Sequence, residues 1–323
     1  MSLDLRKIEH ALAVARNRSF SRAAQALEIS QPTLTRSIQA LEREVGAPLF
    51  DRSRAGVTVT AAGHLLLERG AALAASAMEL QRDLQLLQGV ELGRIAIGAG
   101  PYPAAISVGH AVGELLARHP GLEIDVTVGN WLSLRQQVLS RTIDLSVAEL
   151  SGLADDDRFV VKPCAQHRAA LICRNGHPLL ASKSPTLQHI RNFPLVSSVL
   201  PGRLRMLPGK RASSPGSGDL VVPTVQVDTM GLVMDVVAGS DAIGIAMPVN
   251  ILESVRRGDL AVLALDLPFL KSNYGIIRLA GRTPAPATEA FTRIALRCDI
   301  EQQEKNATAE RQLRKIMKSR QRT

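Results

Sequence analysis

Apolar positions recur at helical spacing through the first sixty residues. Leu5, Ile8 and Leu12 predict a helix over residues 3–17. Ser21 stands where it caps a short second helix carrying Ala23, Ala24 and Leu27. Ser30 caps a third, which runs through Gln31 and Pro32 to Val45 and stops at Gly46. Within it Leu34, Ile38, Leu41 and Val45 form one apolar stripe, while Gln31, Thr33, Thr35, Arg36, Gln39 and Arg43 share the opposite face. Only Glu28-Ile29-Ser30 separates the second and third helices, and the small pair Ala23-Ala24 lets them cross closely. That is helix-turn-helix geometry. Two β-like stretches over residues 48–59 flank a turn containing Gly56, with Arg52 and Arg54 at its tip, as in a hairpin wing.

Thr60 then opens a long helix over residues 60–88, about 43 Å if fully helical. Leu66, Leu73, Leu80 and Leu87 repeat every seven residues, with Ala77 and Leu84 in the companion row. Such a repeat favours pairing with another helix, although an amphipathic helix packed on its own chain carries similar leucines. Leu66, Leu73, Leu80, Leu84 and Leu87 are the candidate dimer contacts. After residues 89–93 the pattern changes. Strands over 94–98, 123–128 and 143–148 alternate with helices over 104–117 and 132–140, predicting a parallel sheet with helices on its faces. The alternation resumes with strands over 224–227, 242–247, 260–264 and 273–279 and helices over 229–238, 249–257 and 286–297. The Pro, Gly, Ser and Lys content of residues 201–218 predicts a mobile loop. Residues 301–323 show no apolar stripe and read as a frayed helix or disordered tail.

Charge sharpens this picture. The 323 residues carry a net +9. Residues 1–59 hold 9 Lys/Arg against 6 Asp/Glu, and residues 301–323 hold 7 against 3, so +7 of the +9 lies at the two ends. A basic end on a near-neutral body fits contact with a polyanion, and equally a solvated surface. The final segment has both readings: added DNA affinity through phosphate, or a solvated tail. Apolar residues make up 46%, enough for a sizeable core. No apolar run approaches a membrane span and no signal-peptide core precedes the first helix, so the expected location is cytoplasmic.

Catalytic chemistry finds little support. Gly98-Ala99-Gly100 follows a strand, but Pro103 stands where a dinucleotide fingerprint needs its third glycine. Phosphate-loop, zinc-protease and nucleophile-elbow motifs are absent from the sequence. The seven histidines lack metal-ligand spacing; His167 and His177, flanking an apparent strand, read as surface or locally hydrogen-bonded groups. The odd, scattered cysteines Cys164, Cys173 and Cys298 exclude a disulfide scaffold, and the apolar neighbours of Cys173 favour an inert thiol over a redox pair with Cys164. No catalytic residue, metal or cofactor is expected.

The segments 19–27 (SFSRAAQAL) and 30–38 (SQPTLTRSI), with Leu41-Glu42, Gly46, Pro48-Leu49-Phe50, Arg52, Thr60 and Gly63, closely resemble the LysR-type transcriptional regulators. His177-Pro178-Leu179 and Gly244-Ile245-Ala246-Met247-Pro248 fit as well, so the resemblance covers about residues 3–300. It implies an α/β chain with an all-α-type winged helix-turn-helix head over 1–59 and a dimerising linker helix over 60–88. It also implies an effector domain over 93–300 whose two Rossmann-like α/β subdomains (about 93–163 plus 267–300, and 164–266) resemble a periplasmic binding protein. Residues 301–323 lie beyond the usual family end. The implied partners are double-stranded promoter DNA, a small-molecule effector, further copies of the chain as homodimer or homotetramer, and RNA polymerase.

Physical roles follow for individual residues. The third helix presents Ser30, Gln31, Pro32, Thr33, Thr35 and Arg36 to the major groove. There Gln31 suits adenine, Thr33 a thymine methyl, and Arg36 guanine or phosphate. Arg52 and Arg54 on the wing suit backbone or a narrow minor groove. Ligands of α/β sheets sit beyond the carboxyl ends of strands, which here carry Gly100, Pro101, Tyr102 and Asn130, faced by Ser197, Ser198, Asp228 and Thr229. Many family members have Ser or Thr after the first strand; Gly100-Pro101-Tyr102-Pro103 removes that hydroxyl, which puts carboxylate binding there in doubt. Two other functions stay open on the residues alone: a small-molecule-binding protein whose DNA head serves mainly assembly, and an enzyme on the α/β unit.

Overall fold

The structure, a computed structural model, describes residues 4–53, 56–87, 93–154, 156–182, 185–214 and 218–320. The chain divides into two compact units, Met1–Val90 and Glu91–Thr323.

The first unit opens with three helices: α1 (Leu5–Asn17), α2 (Phe20–Ala26) and α3 (Gln31–Val45). Asp4 caps α1 by accepting from the Arg6 amide at 3.0 Å. The buried stripe of α1 is Ile8, Ala11 and Val14, with Leu5 and Leu12 only half-buried beside it. Ser19, not Ser21, caps α2, because Ser19 holds the extended backbone that capping needs while Ser21 already lies in the first turn. Phe20 is thereby buried, with its ring edge-on to Phe50 at 6.2 Å. Ala23 and Ala24 are buried where α2 meets α3, and Leu34, Ile38 and Leu41 are fully buried behind them. Gly46 ends α3 at φ +77°, the left-handed conformation that favours glycine. Strands β1 (Phe50–Ser53) and β2 (Gly56–Val59) pair antiparallel as the wing. The carboxylate of Glu42 accepts from the Leu49 amide at 2.8 Å and ties α3 to it. Helix α4 (Ala61–Leu87) follows, its first turn capped by the Thr60 hydroxyl, which accepts from the Gly63 amide at 3.0 Å. A Cβ at Gly63 would run into the Leu49 carbonyl, so only glycine lets α4 approach the wing so closely.

The second unit holds two five-stranded sheets. In one, the order is Glu123–Val128, Arg94–Ala99, Leu145–Glu149, Tyr274–Leu279, Phe159–Pro163. In the other it is Val225–Gln226, Leu195–Ser197, Ile243–Ala246, Ala170–Arg174, Leu260–Val262. Neither is the purely parallel sheet that the βαβ pattern predicts. One strand in each runs against its neighbours: Tyr274–Leu279 and Ala170–Arg174. Each is the first strand after the chain crosses from one lobe to the other. It enters at the hinge, where the other strands end, and so runs in the opposite sense.

Two further expectations are corrected. Among its described residues the supposed mobile loop is largely paired: Lys210–Ser214 runs antiparallel to Gly218–Val222, which pairs in turn with Leu200–Pro201. Leu204, Leu207, Leu220 and Val221 are buried beneath it. Gly209, at φ +136° with its Cα close against Val222, makes the bend that the surrounding polar residues conceal. Nor is there a separate tail among the described residues. A single helix, Pro286–Arg320, continues the chain. Its buried face passes from Phe291, Ile294 and Cys298 in the first lobe through Gln302 and Asn306 to Ala309 and Leu313 in the second. Gln302 and Asn306 interrupt the apolar pattern, which hides the stripe in the sequence. Polar residues suit this stretch because it crosses exposed hinge backbone: Asn306 donates to the Arg168 carbonyl (2.9 Å) and accepts from the Val249 amide (3.1 Å), and Gln303 donates to the Gln166 carbonyl (2.8 Å).

Candidate nucleic-acid interface and ligand cleft

The N-terminal turn of α3 is built by its own cap. The Ser30 hydroxyl accepts from the Thr33 amide (3.3 Å) and lies 2.7 Å from the Thr33 hydroxyl. Gln31 donates its amide to the Thr35 hydroxyl at 3.3 Å. Gln31, Pro32, Thr33 and Arg36 are exposed and Thr35 is half-buried. Among the described residues no acid lies within ion-pair distance of Arg36, so its guanidinium is available to a phosphate or a base edge. On the opposite side, His10 shares a 2.7 Å hydrogen bond with Ser37. Burial and the Arg6 charge lower the His10 pKa, so the imidazole bonds as a neutral group. Arg54 lies outside the described residues, as do the side chains of Arg52, Leu80, Leu84 and Leu87. Of the remaining heptad leucines, Leu66 is half-buried against the head's own core, whereas Leu73 is 49% exposed.

A cleft opens between the two lobes of the second unit. Gly100, Pro101, Tyr102 and Ser198 line it, four of the eight residues read from the strand ends. Ser197 stands just behind, fully buried, with its hydroxyl 3.1 Å from that of Tyr102. The remaining three are elsewhere. Asn130 is spent as the cap of helix Trp131–Leu139, accepting from the Ser133 amide at 3.0 Å. Asp228 accepts from the Ser198 hydroxyl at 2.6 Å and holds it in place from outside. Thr229 is exposed at the start of helix Met230–Ala238, and its side chain makes no capping hydrogen bond. Strand ends become helix starts here, and a capping residue faces its own helix rather than the cleft.

Residues that were not read from the sequence complete the walls: Pro103, Trp131, Glu149, Val199, Leu204, Ile245, Met247, Leu270, Lys271 and Tyr274 among them. Trp131 follows Asn130 directly, and Met247 closes the Gly-Ile-Ala-Met-Pro motif, so those two had a sequence signal. Leu270 and Lys271 sit in the irregular crossover before strand Tyr274–Leu279 and had none. Among the described residues, these ties join the lobes at the cleft wall. The Trp131 indole N–H donates to the Val199 carbonyl (3.1 Å), Arg203 pairs with Glu149 (2.8 Å), and Tyr102 meets Ser197. Burial pushes the Tyr102 pKa up to about 12, so it is a neutral hydroxyl in this wall.

Behind the cleft, Asp299 on the long helix gathers both crossovers. Its carboxylate accepts from the Ala165 amide (2.8 Å), from His167 (3.1 Å) and from the Tyr274 hydroxyl (2.9 Å). His167 and His177 are both buried rather than at the surface, and His177 bonds the Asp241 carbonyl and the Leu179 amide. Burial pushes the Cys173 thiol up to about 12 and raises Cys164 and Cys298 also, the reverse of an activated thiolate.

Comparison with known proteins accounts for both sites. Residues 5–64 match the family model described as bacterial regulatory helix-turn-helix protein, lysR family, and residues 88–297 match the LysR substrate binding domain. The SDS degradation transcriptional activation protein of a Pseudomonas species is 35% identical over 297 residues, covering 91% of this chain and 95% of that protein. The regulator CfxR of Cupriavidus necator is 30% identical over 191 residues, 59% of each chain. Among solved structures, the LysR-family regulator CbnR superposes with a TM-score of 0.62 at 18% identity, over 92% of this chain and 99% of that one. CbnR in complex with its target DNA gives 0.61 at 20% identity, over 92% and 100%. At these identities the structures speak for the fold. The two family models span nearly the whole chain, and with them the capped, exposed face of α3 and the two-lobed cleft find one explanation: this protein belongs to the LysR family of transcriptional regulators, with a helix-turn-helix for DNA and a substrate-binding domain for an effector.

Proposed function

We propose that Ser30, Gln31, Pro32, Thr33, Thr35 and Arg36, with Arg52 and Arg54 on the wing, form the DNA-reading surface, and that a small molecule held between the two lobes controls it. The observation that carries the first part is the uncommitted Arg36 guanidinium on a helix face that also exposes the Gln31 amide and the Thr33 hydroxyl. Gln31 and Thr33 fit base edges and the arginines fit guanine or phosphate. Two copies of the head, paired through α4 with Leu73 on its exposed side, would present two such faces to a two-fold operator. We extend this to a homodimer or homotetramer acting on promoter DNA in the cytoplasm with RNA polymerase. Closure of the lobes on the effector would re-aim the paired heads and alter DNA bending. The Pseudomonas relative is named for activating SDS degradation, and we take genes for the breakdown of related compounds as the candidate targets.

The test is a gel-shift and footprint on the protein's own upstream region. Arg36→Ala is expected to weaken binding by about 1–3 kcal/mol and to relax the base preference at one position. Unchanged affinity with an unchanged footprint would remove Arg36 from the reading surface. Failure of the unaltered protein to bind at low salt would instead favour a head that serves assembly.

A further inference from the structure

The cleft is lined by Pro101, Pro103, Val199, Leu204, Met247 and Leu270, and the polar groups among them are already engaged. The Tyr102 hydroxyl is taken by Ser197, the Ser198 hydroxyl by Asp228, the Tyr274 hydroxyl by Asp299 and the Trp131 N–H by Val199. The helix that begins beyond the first strand offers no anion seat either. Of its first three residues, Pro101 and Pro103 have no N–H, which leaves Tyr102 alone with a donor. A charged group pushed to the floor of this cleft would meet a mostly apolar wall and hydroxyls already hydrogen-bonded to protein, with the Tyr102 N–H as the one donor of that helix start.

The mouth has different chemistry. Arg203 and Lys271 stand there with Glu149. Glu149 is satisfied by Arg203, by the Ser151 hydroxyl (2.9 Å) and by the Asn273 amide (3.2 Å). Lys271 is exposed, and among the described residues no acid lies within ion-pair distance of its ammonium. Two cations against one anion leave the rim positive.

We infer that the cleft takes an amphiphilic organic anion. An unbranched alkyl or an aryl body occupies the apolar slot, and a single sulfate, sulfonate or carboxylate head meets Lys271 and Arg203 at the rim. This rests on the cleft being the effector site and names the class of molecule it selects. A head that draws on Arg203 competes with Glu149. Because those two residues belong to different lobes, the ligand itself alters a tie between them.

The chain contains one tryptophan, and it lines this cleft, so indole emission reports this site alone. The full-length protein is titrated, below micelle-forming concentrations, with octyl sulfate, octanoate, 1-octanol, succinate and glutamate. The sulfate and the carboxylate are expected to shift Trp131 emission saturably. Octanol is expected to bind about fivefold or more weaker, and the small dianion and amino acid to have no effect. Lys271→Gln weakens octyl sulfate by about fivefold and flattens its salt dependence, and leaves octanol binding unchanged. Octanol binding as tightly as octyl sulfate overturns the inference, as does a Lys271→Gln variant indifferent to the head group. Saturation by succinate or glutamate with inert amphiphiles also overturns it, while leaving the cleft as an effector site. Amphiphiles that saturate Trp131 emission but leave the footprint on DNA unaltered uphold the ligand class and defeat the effector reading.

Discussion

Asp299→Ala lowers the stability of the second unit by about 3–5 kcal/mol, read as an earlier urea midpoint at unchanged slope. The side chain is 1% exposed and accepts from three donors, the Ala165 amide, His167 and the Tyr274 hydroxyl. Alanine removes the acceptor from the buried His167 and Tyr274 side chains and from the half-buried Ala165 amide, and an orphaned buried donor costs more than the bond contributed. Asp299→Asn keeps the volume but turns an N–H toward a donor, so its loss is expected to be intermediate. The location gives the variant a second consequence. Ala165 and His167 belong to the irregular segment crossing out of the first lobe, between strands Phe159–Pro163 and Ala170–Arg174, and Tyr274 opens the strand after the return, so one carboxylate ties both hinge segments to one helix. A loss below about 1 kcal/mol for Asp299→Ala would mean that water replaces the carboxylate and that the hinge is open to solvent.

Removing residues 301–323 is expected to cost at least about 3 kcal/mol and to promote aggregation. Leu313, 2% exposed, fills the second lobe's core beside Ile251 and Val255, and its loss exposes that surface. The polar contacts of Gln303 and Asn306 on the crossover go with it. Leu313→Ala isolates the packing share, about 2–5 kcal/mol. The truncation therefore cannot separate charge from folding, but surface changes can. The triple variant Lys305→Gln, Arg311→Gln, Lys318→Gln leaves the buried face intact and removes three cations. An unchanged salt slope of DNA binding in that variant would show that this end of the helix does not meet phosphate. Wild-type stability after truncation would refute the packing of this helix end on the second lobe and restore the reading of a solvated tail.

The head was readable because its information is local. Ser30 and Gly46 mark the ends of α3, and Leu34, Ile38 and Leu41 mark its buried side, all within one short window. The one slip there, Ser21 for Ser19, came from two serines within capping distance of the same helix. The cleft was half readable. Gly100, Pro101 and Tyr102 follow an evident strand, but Arg203, Leu270 and Lys271 lie in irregular backbone whose position depends on how the two lobes meet. The tail was misread for a related reason. Gln303 and Asn306 look solvated until the Gln166 and Arg168 carbonyls and the Val249 amide are placed against them.

Periodicity, caps and motif spacing are properties of neighbouring residues, and they were enough to establish the helix-turn-helix, the alternating α/β order and the missing hydroxyl at Gly100-Pro101-Tyr102-Pro103. Chain crossings are not local. They set which strand runs backwards in each sheet, which hydroxyls are already consumed, and which cation at the mouth has no acid beside it. Those outcomes depend on residues more than a hundred positions apart, such as Ala165 and Asp299, being brought within a hydrogen bond of each other, and no window along the chain contains both.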